Sequence, residues 1–102
     1  MSGTFIINSN SSHDVRTIDF RFLIEILRGE IRSLELKHKV FMSYDEAGMN
    51  IVNVKELNET EYREFVQCMG SVRDKIKHES MDGLSAYLDQ LILSLKDDAR
   101  YC

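Results

Sequence analysis

The stretch that decides the fold is 18–42, IDFRFLIEILRGEIRSLELKHKVFM. Apolar residues occupy alternate positions through its first half: Ile18, Phe20, Phe22, Ile24 and Ile26. Because successive side chains of a strand point to opposite faces of a sheet, this alternation predicts a strand with one buried face. The alternation resumes after a turn at 28–30. We therefore expect strands over about 16–27 and 31–43, joined as a long hairpin.

An amphipathic helix is the alternative for 18–34. Its apolar stripe would be formed by Phe20, Leu23, Ile24, Leu27, Ile31 and Leu34. This stripe leaves Ile18, Phe22 and Ile26 on the opposite side, and it places Gly29 inside a helix at a cost of about 1 kcal/mol relative to alanine. Isoleucine and phenylalanine also favour strands, so strands are the expected structure. In those strands Leu23 and Leu27 point away from the core, which predicts a homodimer or partner face.

Shorter extended segments lie on both sides of this stretch. The run TFII predicts a strand over about 4–8, followed by a polar loop at 8–12. The sequence DEAG at 45–48 predicts a hairpin loop in which Gly48 takes a positive φ. An extended pattern returns over about 49–56. These segments predict an antiparallel meander of three or four strands.

Two helices are expected after the strands, over about 59–78 and 82–98. Asn58 and Glu61 have the spacing of a capping box at the start of the first helix. Apolar residues then recur at helical spacing, and Ser80-Met81-Asp82-Gly83 separates the helices. A short connection predicts that the helices pack antiparallel, and their apolar faces would cover one side of the sheet. The expected fold is therefore α+β, with 1–102 as a single domain.

The composition is that of a soluble globular protein, with 43% apolar and 29% charged residues. No apolar run approaches the length of a membrane span, and the first residues lack the pattern of a signal peptide. Cys68 and Cys102 do not form a disulfide framework, so reduced thiols and a cytoplasmic location are expected. The net charge of −4 argues against nucleic acid or an anionic membrane as the partner.

The acidity is concentrated in the second half of the chain, where 44–66 holds six acidic residues against two basic ones. An acidic surface can steer a basic partner to it, and tyrosine is a common anchor in protein interfaces. The expected partner-binding residues are Tyr44, Asp45, Glu46, Glu56, Glu59 and Glu64.

Motifs for enzymatic chemistry are absent from the sequence: it contains no P-loop, no dinucleotide-binding glycine motif, no nucleophile elbow and no zinc-protease motif. The three histidines are far apart, so neither a metal site nor a cofactor is expected. His38 shares the parity of Leu36 and Val40, and it is the residue on which a small enzyme or ligand-binding site with Tyr44 would depend. Cys68 has no base or positive neighbour in the local sequence and is expected to be structural.

Together these features favour a non-enzymatic, protein-binding function. The most concrete expectation is an immunity- or antitoxin-type inhibitor that neutralises a basic partner such as a nuclease toxin, an assignment by analogy with that class of protein. One alternative is a homodimeric adaptor or secretion-chaperone-like protein. The other is a small ligand-binding domain or enzyme that uses His38.

Overall fold

The computed structural model describes residues 2–79 and 82–101; Met1, Ser80, Met81 and Cys102 lie outside this description, and with them part of the predicted break between the last two helices. The seven elements are β1 (Ser2–Asn8), β2 (Ser11–Arg16), α1 (Thr17–Glu30), α2 (Leu34–Asp45), β3 (Ile51–Asn53), α3 (Glu59–His78) and α4 (Asp82–Lys96). None of the helices within these described ranges has the length and apolarity needed to cross a membrane.

The sheet has three strands in the order β2-β1-β3. β1 pairs antiparallel with β2 and parallel with β3, so the fold is α+β but the predicted antiparallel meander is wrong. The strand expected over 49–56 is only three residues long. β2 begins inside the segment that was expected to be a loop, because its polar sequence SSHDVR forms an edge strand with one half-buried side.

The stretch 18–42 forms two helices, so the strands predicted over 16–27 and 31–43 are wrong. The expected turn at 28–30 is the last turn of α1, and the chain breaks instead at 31–33. Ile31 has an extended backbone and ends α1, while the Ser33 hydroxyl accepts a hydrogen bond from the Leu36 N–H and begins α2. The helices prevail because they bury the larger part of the apolar residues of this stretch against β1, β2 and β3.

The change from strand to helix reverses which side chains point outward on α1. Leu23 and Leu27 are buried in the core, which contradicts the exposed face on which their predicted dimer role depended. Ile18 is 77% exposed and Phe22 is 38% exposed. The outward apolar residues of this segment are therefore those that the helical alternative placed opposite its stripe.

The last two helices lie where the sequence placed them, over Glu59–His78 and Asp82–Lys96. Both hydrogen bonds of the Asn58–Glu61 capping box are present. α3 and α4 pack against each other, and α1 packs against α3. Apolar residues of all four helices and of β1 and β3 join in one buried cluster.

The segment after α4 is tied to the rest of the fold by Arg100. Its guanidinium lies 4.1 Å from the centre of the Tyr62 ring and donates to both carboxylate oxygens of Asp98, at 2.8 and 3.1 Å. It also donates to four backbone carbonyls on two segments, at distances of 2.8 to 3.1 Å: Ile7 on β1, and Val54, Lys55 and Leu57 between β3 and α3. One side chain therefore joins β1, the β3–α3 connection and the segment after α4.

Asp98 gives the fold a pH dependence. The Arg100 guanidinium, followed by the Asn8 amide, holds the pKa of this 8%-exposed carboxyl well below its usual range, although burial opposes the shift. A depressed pKa in the folded state means that ionised Asp98 stabilises the fold above about pH 4, and that this contribution is lost as the pH falls. We expect unfolding free energies from urea titrations to fall more steeply from about pH 6 to about pH 2.5 in the wild type than in Asp98→Asn. Parallel profiles for the two proteins would contradict this assignment.

Candidate protein-binding surface

The residues expected to bind a partner lie at the end of α2, in the loop after β3 and on the first half of α3. Glu46, Glu56, Glu59 and Glu64 are all exposed. Among residues 2–79 and 82–101, the ion pairs of the fold involve other carboxylates. These four carboxylates are therefore presented to solvent.

These exposed acids lie on different elements of the fold. Glu59 begins α3 and Glu64 follows on the same helix, while Glu56 lies three residues before Glu59 in the connection from β3. Glu46 directly follows α2, whereas Glu56 lies in the connection after β3. The four exposed acids thus lie on three parts of the fold: the end of α2, the β3–α3 connection and the first half of α3.

Asp45 is held within the fold by Arg28 of α1. The two guanidinium nitrogens donate to the two carboxylate oxygens at 2.9 and 2.8 Å, and the same guanidinium lies 4.6 Å from the centre of the Phe41 ring. The hydrogen bonds from Arg28 lower the pKa of Asp45, and those to Asp45 raise the pKa of Arg28. Asp45 is therefore the pairing partner of a basic residue that joins α1 to α2, not an isolated surface acid.

Tyr44 is half-buried against the core, with its ring centre 5.9 Å from that of Phe20. Only part of its ring is therefore available to a partner. The loop that follows was expected to close a hairpin; it joins α2 to β3 instead, and Gly48 takes the expected positive φ, at 66°.

Glu61 stabilises the same region. Its carboxylate accepts a hydrogen bond from Lys39 of α2 at 2.6 Å and another from the Asn58 backbone N–H. These hydrogen bonds, that from Lys39 first, lower the pKa of Glu61. This pair ties α2 to the start of α3 and so fixes where Glu59 and Glu64 are presented.

Four surface grooves bear on the other functional hypotheses. None of the four is lined by His38 or Tyr44, and His38 is exposed on α2, so no described groove supports a site built on these two residues.

No group of three metal-binding side chains converges within the described part of the chain. The Cys68 thiol points to the Glu30 carbonyl at 3.7 Å, and burial raises its pKa, which makes it a poor nucleophile.

One groove adjoins the acidic group on α3. It has a volume of about 290 Å³ and is lined by Glu30, Arg32, Glu64, Gln67, Cys68 and Ser71. Its lining is polar, with Glu64 on the α3 side and Arg32 on the connection between α1 and α2. Sequence reasoning named Glu64 but missed the groove, because only the helical form of 18–42 places Arg32 beside α3.

No protein-family model and no curated protein matches the sequence. Among solved structures, the chain resembles a chain in a complex from Burkholderia pseudomallei E479. That structure contains a CdiA-CT toxin bound to its cognate CdiI immunity protein. The TM-score is 0.91 at 23% sequence identity, and the match covers 98% of this chain and 99% of the other. At this identity the likeness shows a shared fold over the full length of both chains.

Proposed function

We propose that this chain is an immunity protein that binds and neutralises a toxin. The observation that carries the proposal is the full-length fold match, because the matched chain is the immunity protein of the toxin complex. Shared fold alone does not transmit function. The proposal gains independent support from the acidic, exposed carboxylates and from the lack of recognisable catalytic motifs, both of which suit an inhibitor that acts by binding and not by catalysis.

The proposed partner is a basic protein, with a nuclease toxin as the most concrete case. Nucleases bind phosphates, so a positively charged cleft is a natural target for a surface of carboxylates. Glu56, Glu59 and Glu64 form the centre of the proposed contact, with Glu46 at its edge. Tyr44 and Asp45 belong to the proposed surface as well, but through a half-buried ring and a carboxylate already held by Arg28. In this proposal the protein acts in the cytoplasm.

The direct test is protection of growth. The C-terminal toxin region of a candidate partner would be produced from an inducible promoter in bacteria, with and without this chain. We expect toxin production to stop growth and production of this chain to restore it. A purified toxin region that neither binds this chain in a titration nor loses toxicity in its presence would refute the proposed function.

Charge reversal locates the contact. We expect the combined variant Glu56→Lys/Glu59→Lys/Glu64→Lys to weaken toxin binding by at least about 100-fold, because each acid then repels a basic partner. The same titration at rising salt should weaken wild-type binding and leave the variant less affected. Glu79→Lys is the matched control: this acid is exposed directly after α3, and its reversal should leave affinity within about threefold. Unchanged affinity in the triple variant would refute the acidic surface.

Exchanging the charges of Arg28 and Asp45 separates a contact of Asp45 with the toxin from its structural pairing with Arg28. Arg28→Asp/Asp45→Arg keeps an acid facing a base between α1 and α2 but removes the carboxylate from position 45. If Asp45 contacts the toxin, this exchange weakens binding although circular dichroism shows that the variant remains folded. If affinity is preserved, Asp45 serves only to join the helices.

A further inference from the structure

A row of apolar side chains lies on the solvent side of α1. The row, here called the α1 ridge, consists of Ile18, Phe22 and Ile26, one every four residues. Ile18 is 77% exposed, Phe22 is 38% exposed and Ile26 is half-buried. Single exposed apolar residues are ordinary, but three on one helical ridge form a continuous surface that the fold of one chain leaves uncovered.

The α1 ridge continues into a groove toward α3. The groove has a volume of about 680 Å³ and is lined by Phe22, Ile26, Asp74, Lys75, His78 and Glu79. Phe22 and Ile26 provide its apolar floor, and the α3 side chains provide a polar rim. Lys75 is already paired with Glu30 of α1, so its charge is neutralised within the chain. An apolar centre with a polar rim is the usual anatomy of a protein interface.

We propose that a second copy of this chain covers the α1 ridge, with the two α1 helices packed antiparallel about a twofold axis near Phe22. The ridge reads the same in both directions around Phe22, with an isoleucine four residues before and four residues after it. A twofold interface is self-complementary: wherever one residue contacts a second residue of the partner, that second residue contacts the partner's copy of the first. Ridges formed by every fourth residue are also those that pack most often between helices.

The charges beside the α1 ridge fit a second copy. Arg21 and Glu25 lie one turn apart on the same flank of Phe22, and both are exposed. In the antiparallel arrangement, Arg21 approaches the partner's Glu25, and Glu25 approaches the partner's Arg21. Two chains of net charge −4 repel each other overall, so they associate best where their surfaces exchange opposite charges.

Gly29 leaves room for this packing. It is exposed near the end of α1, three residues beyond Ile26, and a methyl group added there would meet no other atom of the chain within 4 Å. The partner's Ile18, the most exposed member of the ridge, is opposite Ile26 and next to this open space. A large protruding residue thus faces a position without a side chain.

A basic protein partner fits the α1 ridge less well than a second copy. The flank of the ridge carries one positive and one negative residue, whereas the exposed acids proposed to meet a toxin lie on α3 and around β3. The dimer and the proposed inhibitor function are therefore independent, and either can fail without the other.

Sedimentation velocity of the full chain, from about 5 to about 500 µM, tests the dimer. We expect a concentration-dependent dimer with a dissociation constant on the order of 10–100 µM, and a monomer at every concentration for Ile18→Glu. Ile18 has little contact with the core, so this variant should keep the wild-type melting temperature. Leu34→Glu is the matched control, since Leu34 is 80% exposed but lies outside the ridge. A wild-type monomer at about 500 µM, or an Ile18→Glu dimer, would overturn the proposal.

A charge exchange tests the antiparallel register. Arg21→Glu alone and Glu25→Arg alone should each weaken the dimer by roughly tenfold, because the twofold axis repeats every change. The double variant Arg21→Glu/Glu25→Arg restores the opposite pairing and should return the dissociation constant to within about threefold of the wild type. If the double variant is as weak as the single ones, the register is wrong; circular dichroism melts confirm that all three variants remain folded.

Discussion

Replacing Arg100 by alanine is expected to lower the free energy of unfolding by about 3–5 kcal/mol. The change leaves the 8%-exposed Asp98 carboxylate without its guanidinium and frees four backbone carbonyls from Arg100. A buried charge that loses its partner is costly because little water reaches it. Since a domain of this size has a total stability of about 5–15 kcal/mol, the variant should melt at least 10 °C below the wild type.

Two companion variants make the Arg100 prediction specific. Arg100→Lys keeps the charge but replaces the planar fork by one ammonium group, which cannot reach all of these oxygens, so we expect it to recover less than half of the loss. Arg16→Ala removes an arginine that is 83% exposed and paired only at the surface, and it should change stability by less than about 0.5 kcal/mol. Urea unfolding followed by circular dichroism measures all three. A loss in Arg100→Ala no larger than that in Arg16→Ala would show that the tie contributes nothing.

Phe20→Ala should have an effect of similar size, about 3–5 kcal/mol of unfolding free energy. Phe20 is fully buried, and its ring centre is 5.5 Å from that of Phe5 in an edge-to-face arrangement. The ring also lies directly over Gly3 of β1, so a methyl group at position 3 would overlap its atoms. The absence of a side chain at Gly3 therefore allows α1 to pack closely on β1 at this point.

Substitutions at Gly3 test this contact from the other side. Gly3→Ala should destabilise the fold by about 1–3 kcal/mol, because either the strand or the ring must move. Combining it with Phe20→Leu should cost less than the sum of the single changes, since the smaller side chain makes room for the methyl group. Gly70→Ala is the control: nothing lies near that position of α3, and the same change should stabilise the helix by about 0.5–1 kcal/mol. Strict additivity at Gly3 and Phe20 would contradict the close contact.

The sequence was most informative where local signals agreed with each other. Asn58 and Glu61 marked the start of α3 through a capping box, and regular apolar spacing marked the length of α3 and α4. The segment 18–42 carried two periods at once. Alternate positions are apolar, as in a strand, but positions at helical spacing are apolar too. Either structure leaves two or three large apolar side chains pointing away from the core. The choice between them is made by packing against β1 and α3, which no local pattern encodes.

The candidate site was predictable in composition but not in arrangement. The exposure of Glu46, Glu56, Glu59 and Glu64 follows from their charge. The pairing of Asp45 with Arg28 does not, because it requires α1 and α2 to be helices that meet at that point. Arg100 gave no signal at all, since its partners are mainly backbone carbonyls, which every sequence possesses.

Arg100 also sets when the fold can be completed during synthesis. Its guanidinium donates a hydrogen bond to the Ile7 carbonyl, 93 residues earlier in the chain. The parallel pairing of β1 with β3 likewise forms only after β3 has been synthesised. Closing such long loops is slow compared with forming α1 or α2, which need only neighbouring residues. A growing chain on the ribosome can therefore form its helices early, but it gains its last stabilising contacts only after residue 100 has emerged. Chains whose translation stops before Arg100 would lack these hydrogen bonds, and their lower stability would make them substrates for proteases. Only chains synthesised past Arg100 therefore reach the full stability of the fold.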